Sequence, residues 1–99
     1  MRYRAKQDAN QKEIVATFRT FGFSVEDLTR VGSGVPDLII GYGGKTWPVE
    51  VVGPDKLKRF PPHGLSPGQI KWSDEWKGTT YSVRSLEEAE NLARLLRSI

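Results

Sequence analysis

Residues 35–52 read VPDLIIGYGGKTWPVEVV, and this stretch decides the fold. The apolar run at 38–40 is short and continuous, which is typical of a buried central strand. The glycine pair at 43–44 turns the chain back, and residues 46–52 have the composition of a second strand. We therefore expect a β-hairpin that forms the middle of a sheet.

Two acidic residues lie in this hairpin, one at the start of the first strand and one inside the second. If the strands pair, Asp37 and Glu50 converge at one end of the sheet. Paired carboxylates are hard oxygen ligands of the kind that a divalent metal such as Mg²⁺ prefers. The alternative is that Asp37 is a turn residue and Glu50 a solvated strand residue, although an unpaired acid in an apolar strand is costly to bury.

The rest of the chain predicts helices and strands around this hairpin. In chain order we expect a helix over 10–21, a strand over 23–31, the two hairpin strands, a helix over 66–77, a strand over 79–83 and a helix from 85 onward. Ser66 and Gln69 have the spacing of a capping box, which marks the start of the second helix. Residues 53–64 contain Pro54 and a Pro-Pro pair and predict an exposed, mobile loop.

Length and composition limit the classes of protein to consider. The 99 residues predict a single domain, 1–99, and the absence of cysteine excludes disulfides, zinc thiolates and a thiol nucleophile. A net charge of +3 and a pI near 9.4 are compatible with a nucleic-acid partner. No apolar run is long enough for a membrane span, and residues 1–6 lack the apolar stretch of a signal peptide. We therefore expect no membrane association and a cytoplasmic location.

The order of these motifs resembles the PD-(D/E)XK nucleases, in particular the small stand-alone VRR-NUC proteins of bacteriophages and bacteria. The resemblance rests on GSGVPDLIIG at 32–41, VEV at 49–51, and LSPGQ at 65–69 followed by Trp72. It implies an α/β (α+β) fold, with a restriction-endonuclease-like αβββαβ core, a mixed central sheet flanked by helices, and a C-terminal helix added to it.

The same resemblance implies an activity. Such proteins cleave DNA phosphodiesters with Mg²⁺ or Mn²⁺, often at branched or flapped DNA, and Holliday junctions are a possible substrate here. Symmetric cutting of a branched junction needs two active sites, so the expected assembly is a homodimer.

The resemblance also assigns roles to individual residues. Asp37 and Glu50 match the two metal-binding acids, and the backbone carbonyl of Val51 matches a further metal contact. Gln69 matches a glutamine near the site, although its capping box accounts for it without chemistry. Glu13 matches an acidic residue that some relatives contribute from the first helix, and its alternative is a surface helix position.

Val52 departs from the family pattern, because that position is normally a lysine. A cation two residues after the glutamate projects to the same face of the strand, where it stabilises negative charge that develops on the phosphate. We therefore expect this chain to be an inactive or weakened nuclease. Arg30 and Lys45 are the alternative sources of the cation.

A group of basic and polar residues is expected near the site. Lys56, Lys58 and Arg59 are suitably placed for phosphate contacts that carry no sequence information, and Ser33 and Arg30 are further candidates for DNA contacts. The alternative for the lysines and Arg59 is a solvated loop.

Two other functions remain open at this stage. The chain can be a DNA-binding or assembly module that keeps the nuclease fold without turnover, or an unrelated small α/β interaction domain. Trp72 and Trp76 lie at helical spacing and are predicted to be core residues.

Overall fold

The predicted hairpin forms the centre of a four-stranded mixed sheet in the computed structural model, which describes residues 9–99. The strands are β1 (Ser24–Asp27), β2 (Leu38–Tyr42), β3 (Lys45–Val51) and β4 (Tyr81–Val83). They lie in the order β1-β2-β3-β4, with β1, β2 and β3 antiparallel and β4 parallel to β3. Leu38 lies opposite Val49, which confirms the hairpin. The α+β class with a mixed sheet is therefore as expected.

Four helices accompany the sheet. They are α1 (Gln11–Thr20), α2 (Pro54–Arg59), α3 (Pro67–Glu75) and α4 (Leu86–Arg97). α1 contacts α4 and β1, and α4 also contacts β4. Their apolar stripes and one face of the sheet share a core whose fully buried members include Ile14, Phe18, Leu38, Val49 and Leu96. The side chains of Glu50 and Val52 lie on the opposite face of the sheet.

Residues 53–64 were expected to form an irregular loop, and this prediction is wrong for its first half. Gly53 is the N-cap of α2 and Pro54 occupies its first turn, where a missing N–H costs nothing and the fixed φ favours a helix. α2 has six residues and none of them is buried. The observed order therefore contains one helix more than the expected αβββαβ core with its C-terminal helix.

The strand predicted over 23–31 is shorter than expected. β1 ends at Asp27, whose side-chain oxygen accepts a hydrogen bond from the Thr29 N–H at 2.9 Å. Such a local bond replaces the next rung of the sheet with a turn. The Leu28 N–H donates to the Asp37 carbonyl at 2.7 Å, so the end of β1 still contacts the start of β2.

The described part of the chain contains no helix long and apolar enough to cross a membrane. The prediction about a signal peptide concerns residues 1–6, which lie outside the described residues.

A close backbone contact fixes the loop before β2 against the start of α3. Gly34 has a φ of +80°, and a Cβ at this position would lie 2.6 Å from the carbonyl oxygen of Gly68. Only a glycine therefore fits both the left-handed conformation and the contact. Gln69 follows Gly68 in α3, and Asp37 lies three residues after Gly34. The contact between the two glycines therefore sets the position of Gln69 relative to Asp37.

We predict that Gly34→Ala destabilises the protein much more than Gly43→Ala. Both glycines have positive φ, but a Cβ at Gly43 meets no atom within 4 Å. Gly43→Ala should cost about 1–2 kcal/mol for the left-handed conformation. Gly34→Ala adds an overlap with backbone and should cost about 2–5 kcal/mol in total. Urea unfolding measures both, and equal losses would contradict the proposed contact.

Candidate metal centre

The two acidic residues lie side by side on the sheet face that α1 and α4 leave free. Extending the β2–β3 register by one residue beyond Leu38 and Val49 places Asp37 opposite Glu50. Both residues are buried, with 7% of their surface exposed. Two carboxylates so placed raise each other's free energy when both are ionised, so the site needs positive charge or a proton.

Lys56 supplies positive charge to this acid pair. Its Nζ lies 2.8 Å from Asp37 Oδ2 and 2.9 Å from the carbonyl oxygen of Val51. The Val51 N–H also donates to Asp37 Oδ2, at 2.8 Å. The ammonium group therefore binds to the two oxygens, one carboxylate and one carbonyl, that the family resemblance assigns to a metal.

Glu50 is the least satisfied group of the site. Burial, followed by the negative charge of Asp37, raises its pKa from 4.5 to about 8, while Lys56, the Asp37 N–H and the Gln69 side chain act in the opposite direction. Its buried Oε2 has no hydrogen-bond partner within the described structure. A buried carboxylate oxygen without a donor is costly, so it requires a proton or a cation.

These residues fit a hard divalent cation. The Lys56 ammonium is a stand-in cation on two oxygens, and Glu50 Oε2 is a third buried oxygen that lacks a donor. Residues 9–99 contain no group of three or more His, Cys, Asp or Glu side chains that could hold a metal. The candidate site has two carboxylates and a backbone carbonyl, a set that suits Mg²⁺ because this ion usually keeps several waters.

Gln69 joins the helix cap to the acid pair. The Ser66 N–H donates to Gln69 Oε1 at 3.0 Å, and the Gln69 N–H donates to Ser66 Oγ at 3.2 Å, which confirms the predicted capping box. The cap uses the amide oxygen, and the Gln69 side chain also lies close enough to Glu50 to act against the rise in its pKa. The structural interpretation of Gln69 is therefore confirmed, and its role in the site stays a prediction from the resemblance.

Val52 lies on the same strand face as Glu50, but its surroundings are sealed. It is 1% exposed, and a Cβ at Gly64 would overlap its Cγ1 and approach the Leu57 side chain. The cation comes from Lys56, four residues further along the chain, and sequence analysis assigned that residue to DNA phosphates. The start of α2 at Gly53-Pro54 is the sequence signal that could have placed Lys56 over the site.

The two cations considered as substitutes for the motif lysine lie elsewhere. Lys45 is exposed and begins β3 at the end opposite to Glu50. Arg30 is exposed in the turn after β1. Within residues 9–99, neither side chain donates a hydrogen bond to Asp37 or Glu50.

Glu13 is not brought to the acid pair. It lies on the exposed side of α1, whereas the buried polar residue of that helix is Gln11. Gln11 donates to Thr29 Oγ1 at 2.5 Å and to Asp27 Oδ2 at 3.1 Å, so it stabilises the turn after β1. A metal role for Glu13 stays a prediction from the resemblance.

The remaining basic candidates are exposed. Lys58 and Arg59 lie on α2, the helix that carries Lys56, and Arg59 lies over the ring of Phe60 at 5.1 Å from its centroid. Ser33 lies near α3 rather than beside the acids. Their contacts with DNA stay predictions.

We predict that the metal-free protein loses stability as pH rises from about 5 to about 9, and that Glu50→Gln weakens this dependence. Because the pKa of Glu50 is raised from 4.5 to about 8, the folded protein binds a proton in this window that the unfolded chain does not. Stability falls with pH wherever the folded state binds more protons. Melting temperatures in a chelator across this pH range test it, and parallel curves for both proteins would contradict it.

Comparison of the chain with family models, with curated proteins and with solved structures finds no match. The case for a function therefore depends on the sequence motifs and on the geometry of the acid pair.

Proposed function

We propose that this protein is a divalent-metal-dependent DNA endonuclease of the restriction-endonuclease-like fold. The motif position that is normally a lysine is Val52 in this chain, and Lys56 takes the role of that lysine. One observation carries the proposal: the Lys56 ammonium lies within 2.9 Å of both Asp37 Oδ2 and the Val51 carbonyl, beside the buried Glu50. An acid pair, a buried carbonyl ligand and a lysine at one point are the groups that metal-assisted phosphodiester hydrolysis uses.

Each residue has a defined part in this proposal. Asp37, Glu50 and the Val51 carbonyl would hold Mg²⁺ or Mn²⁺, and Gln69, whose side chain lies near Glu50, would orient that carboxylate. When bound, the metal polarises the phosphodiester and lowers the pKa of a water molecule. Lys56 stabilises the negative charge that develops on the phosphate during attack.

Lys56 can change partners without unfolding the site. Its side chain is 16% exposed, and it belongs to a six-residue helix without buried residues, joined to β3 by a short connection. Its four-carbon stem lets the ammonium move from the two oxygens to a phosphate oxygen nearby. Lys58 and Arg59, exposed on the same helix, then contact neighbouring phosphates.

The preferred DNA and the assembly are part of the same proposal. Branched or flapped DNA is the expected substrate class, and two copies of the chain would provide the two cuts that a junction requires. Both expectations come from the family resemblance, together with a net charge of +3 that permits binding to a polyanion.

A second function is favoured by the same contact. If the Lys56 ammonium stays on Asp37 and Val51 permanently, it acts as an internal counter-ion and excludes the metal. The protein is then a DNA-binding module without turnover. The two functions differ in the effect of removing the ammonium, since a catalytic lysine is needed for cleavage and a counter-ion is not.

We predict that Lys56→Met reduces the single-turnover cleavage rate by roughly 10²–10³, the loss typical of one group that stabilises transition-state charge. Lys58→Met, an exposed lysine of the same helix, should change the rate by only a few-fold at saturating DNA. Asp37→Asn should abolish cleavage. The assay uses branched, flapped and duplex DNA with Mg²⁺ or Mn²⁺, and melting curves confirm that each variant is folded.

One outcome would contradict the nuclease activity, and another would contradict the catalytic role of Lys56. Wild-type protein that binds every DNA structure but cuts none with either metal is a binding module. A Lys56→Met protein that cuts faster than wild type shows that Lys56 excludes the metal and does not assist the reaction.

A further inference from the structure

A groove lies along α3, the helix that carries Gln69. Its volume is about 390 Å³. It is lined by Ser33, Gly68, Lys71, Trp72, Glu75 and Trp76. A volume of this size accommodates one or two aromatic rings and is at the lower end of the range for small-ligand sites.

The groove contains an aromatic pair that was expected in the core. The rings of Trp72 and Trp76 are stacked, with centroids 4.8 Å apart and planes 15° apart. Trp76 is nevertheless 48% exposed. A Cβ at Gly78 would lie 2.8 Å from Trp76 Nε1, so Gly78 lies close to the edge of the ring. Trp76 is thus a positioned aromatic side chain that keeps much of its surface in water.

The groove and the acid site share the first turns of α3. Gln69 lies near Glu50, while Gly68 and Trp72 on the same helix line the groove. Because a helix with side chains is about 10–12 Å wide, the groove lies within roughly one helix width of the acids. Ser33, at the groove, also belongs to the loop that leads into Asp37.

We propose that this groove binds an unpaired nucleobase, stacked on Trp76, from the DNA strand that lies across the acid site. The inference rests on the proposed function, because that function is the reason for expecting a DNA strand at the acid site. Base stacking on an exposed aromatic ring is tolerant of sequence, because every base has a π face.

The other groove residues complete a nucleotide site. Lys71 offers a cation to the adjoining phosphate, and the Ser33 hydroxyl can donate to or accept from the base edge. Glu75 lies one turn after Lys71 and accepts hydrogen bonds from exocyclic amino groups, while it repels a phosphate. The charges therefore place the phosphate at the Lys71 end and the base between Glu75 and the tryptophan pair.

The size of the groove favours a base over a second copy of the chain. A stable dimer buries roughly 800 Å² on each partner, far more than this groove offers. A single base needs only one ring face and a nearby cation, and both are present here.

The test measures binding of an oligothymidylate and of a blunt DNA duplex without divalent metal, so that no cleavage occurs. We expect Trp76→Ala to weaken oligothymidylate binding by about 5- to 150-fold, the range for the loss of one base stack. Binding of the blunt duplex should stay unchanged, and Trp76→Phe should recover part of the affinity. Ile70→Ala is the matched control, because Ile70 is 44% exposed on the same helix and does not line the groove.

Three results would overturn the groove proposal. Trp76→Ala can leave both affinities unchanged, it can weaken both equally, or it can turn a dimer into a monomer in sedimentation while oligothymidylate binding persists. The last result identifies a surface between copies.

Cleavage distinguishes a failure of the groove proposal from a failure of the nuclease proposal. A protein that cuts DNA but shows no effect of Trp76→Ala refutes the groove proposal alone. A protein that stacks the base but never cuts refutes the nuclease alone.

Discussion

The Lys56 ammonium between the Asp37 carboxylate and the Val51 carbonyl is the contact on which the site depends. It neutralises part of an acid pair that is buried in the sheet, where two ionised carboxylates repel each other strongly. This single ammonium group does not neutralise both carboxylates, because the pKa of Glu50 is still raised to about 8 and its Oε2 has no donor in the described structure. Glu50 therefore needs either a proton or a second cation, which is a physical reason for the site to take up a metal ion.

Three parts of the fold are needed to build this arrangement. The β2–β3 register sets the two acids opposite each other. α2 begins directly after β3 and turns Lys56 back over them. α3 is capped by Ser66 and held at Gly68 by the backbone of Gly34, and this brings Gln69 to Glu50 on one side and Trp76 into water on the other. The acid pair and the aromatic groove thus depend on the same helix start.

Much of the frame could be predicted from sequence because its signals are local. The glycine turn and the apolar run indicated the hairpin, and the spacing of Ser66 and Gln69 indicated the cap. The convergence of Asp37 and Glu50 followed from strand pairing alone.

What could not be predicted depends on tertiary contacts. α2 has no buried residue, so it leaves no apolar periodicity, and the position of Lys56 became visible only with the backbone in place. The strand face of Val52 was predicted, but the packing of the Gly64 segment against its side chain was not. Helical spacing of Trp72 and Trp76 is the same for a core stripe and an exposed pair, and only the packing distinguishes them.

The central claim is that Lys56 and a divalent metal use the same oxygens, and calorimetric titration of Mn²⁺ tests it most directly. Removal of a competing charged hydrogen bond is worth about 1.5–3 kcal/mol, so Lys56→Met should bind Mn²⁺ roughly tenfold more tightly than wild type, or more. Lys58→Met, which removes the same charge from the same helix, should change the affinity much less, and Asp37→Asn should lose binding. Equal affinities for Lys56→Met and Lys58→Met, or binding that survives in Asp37→Asn, would contradict the claim.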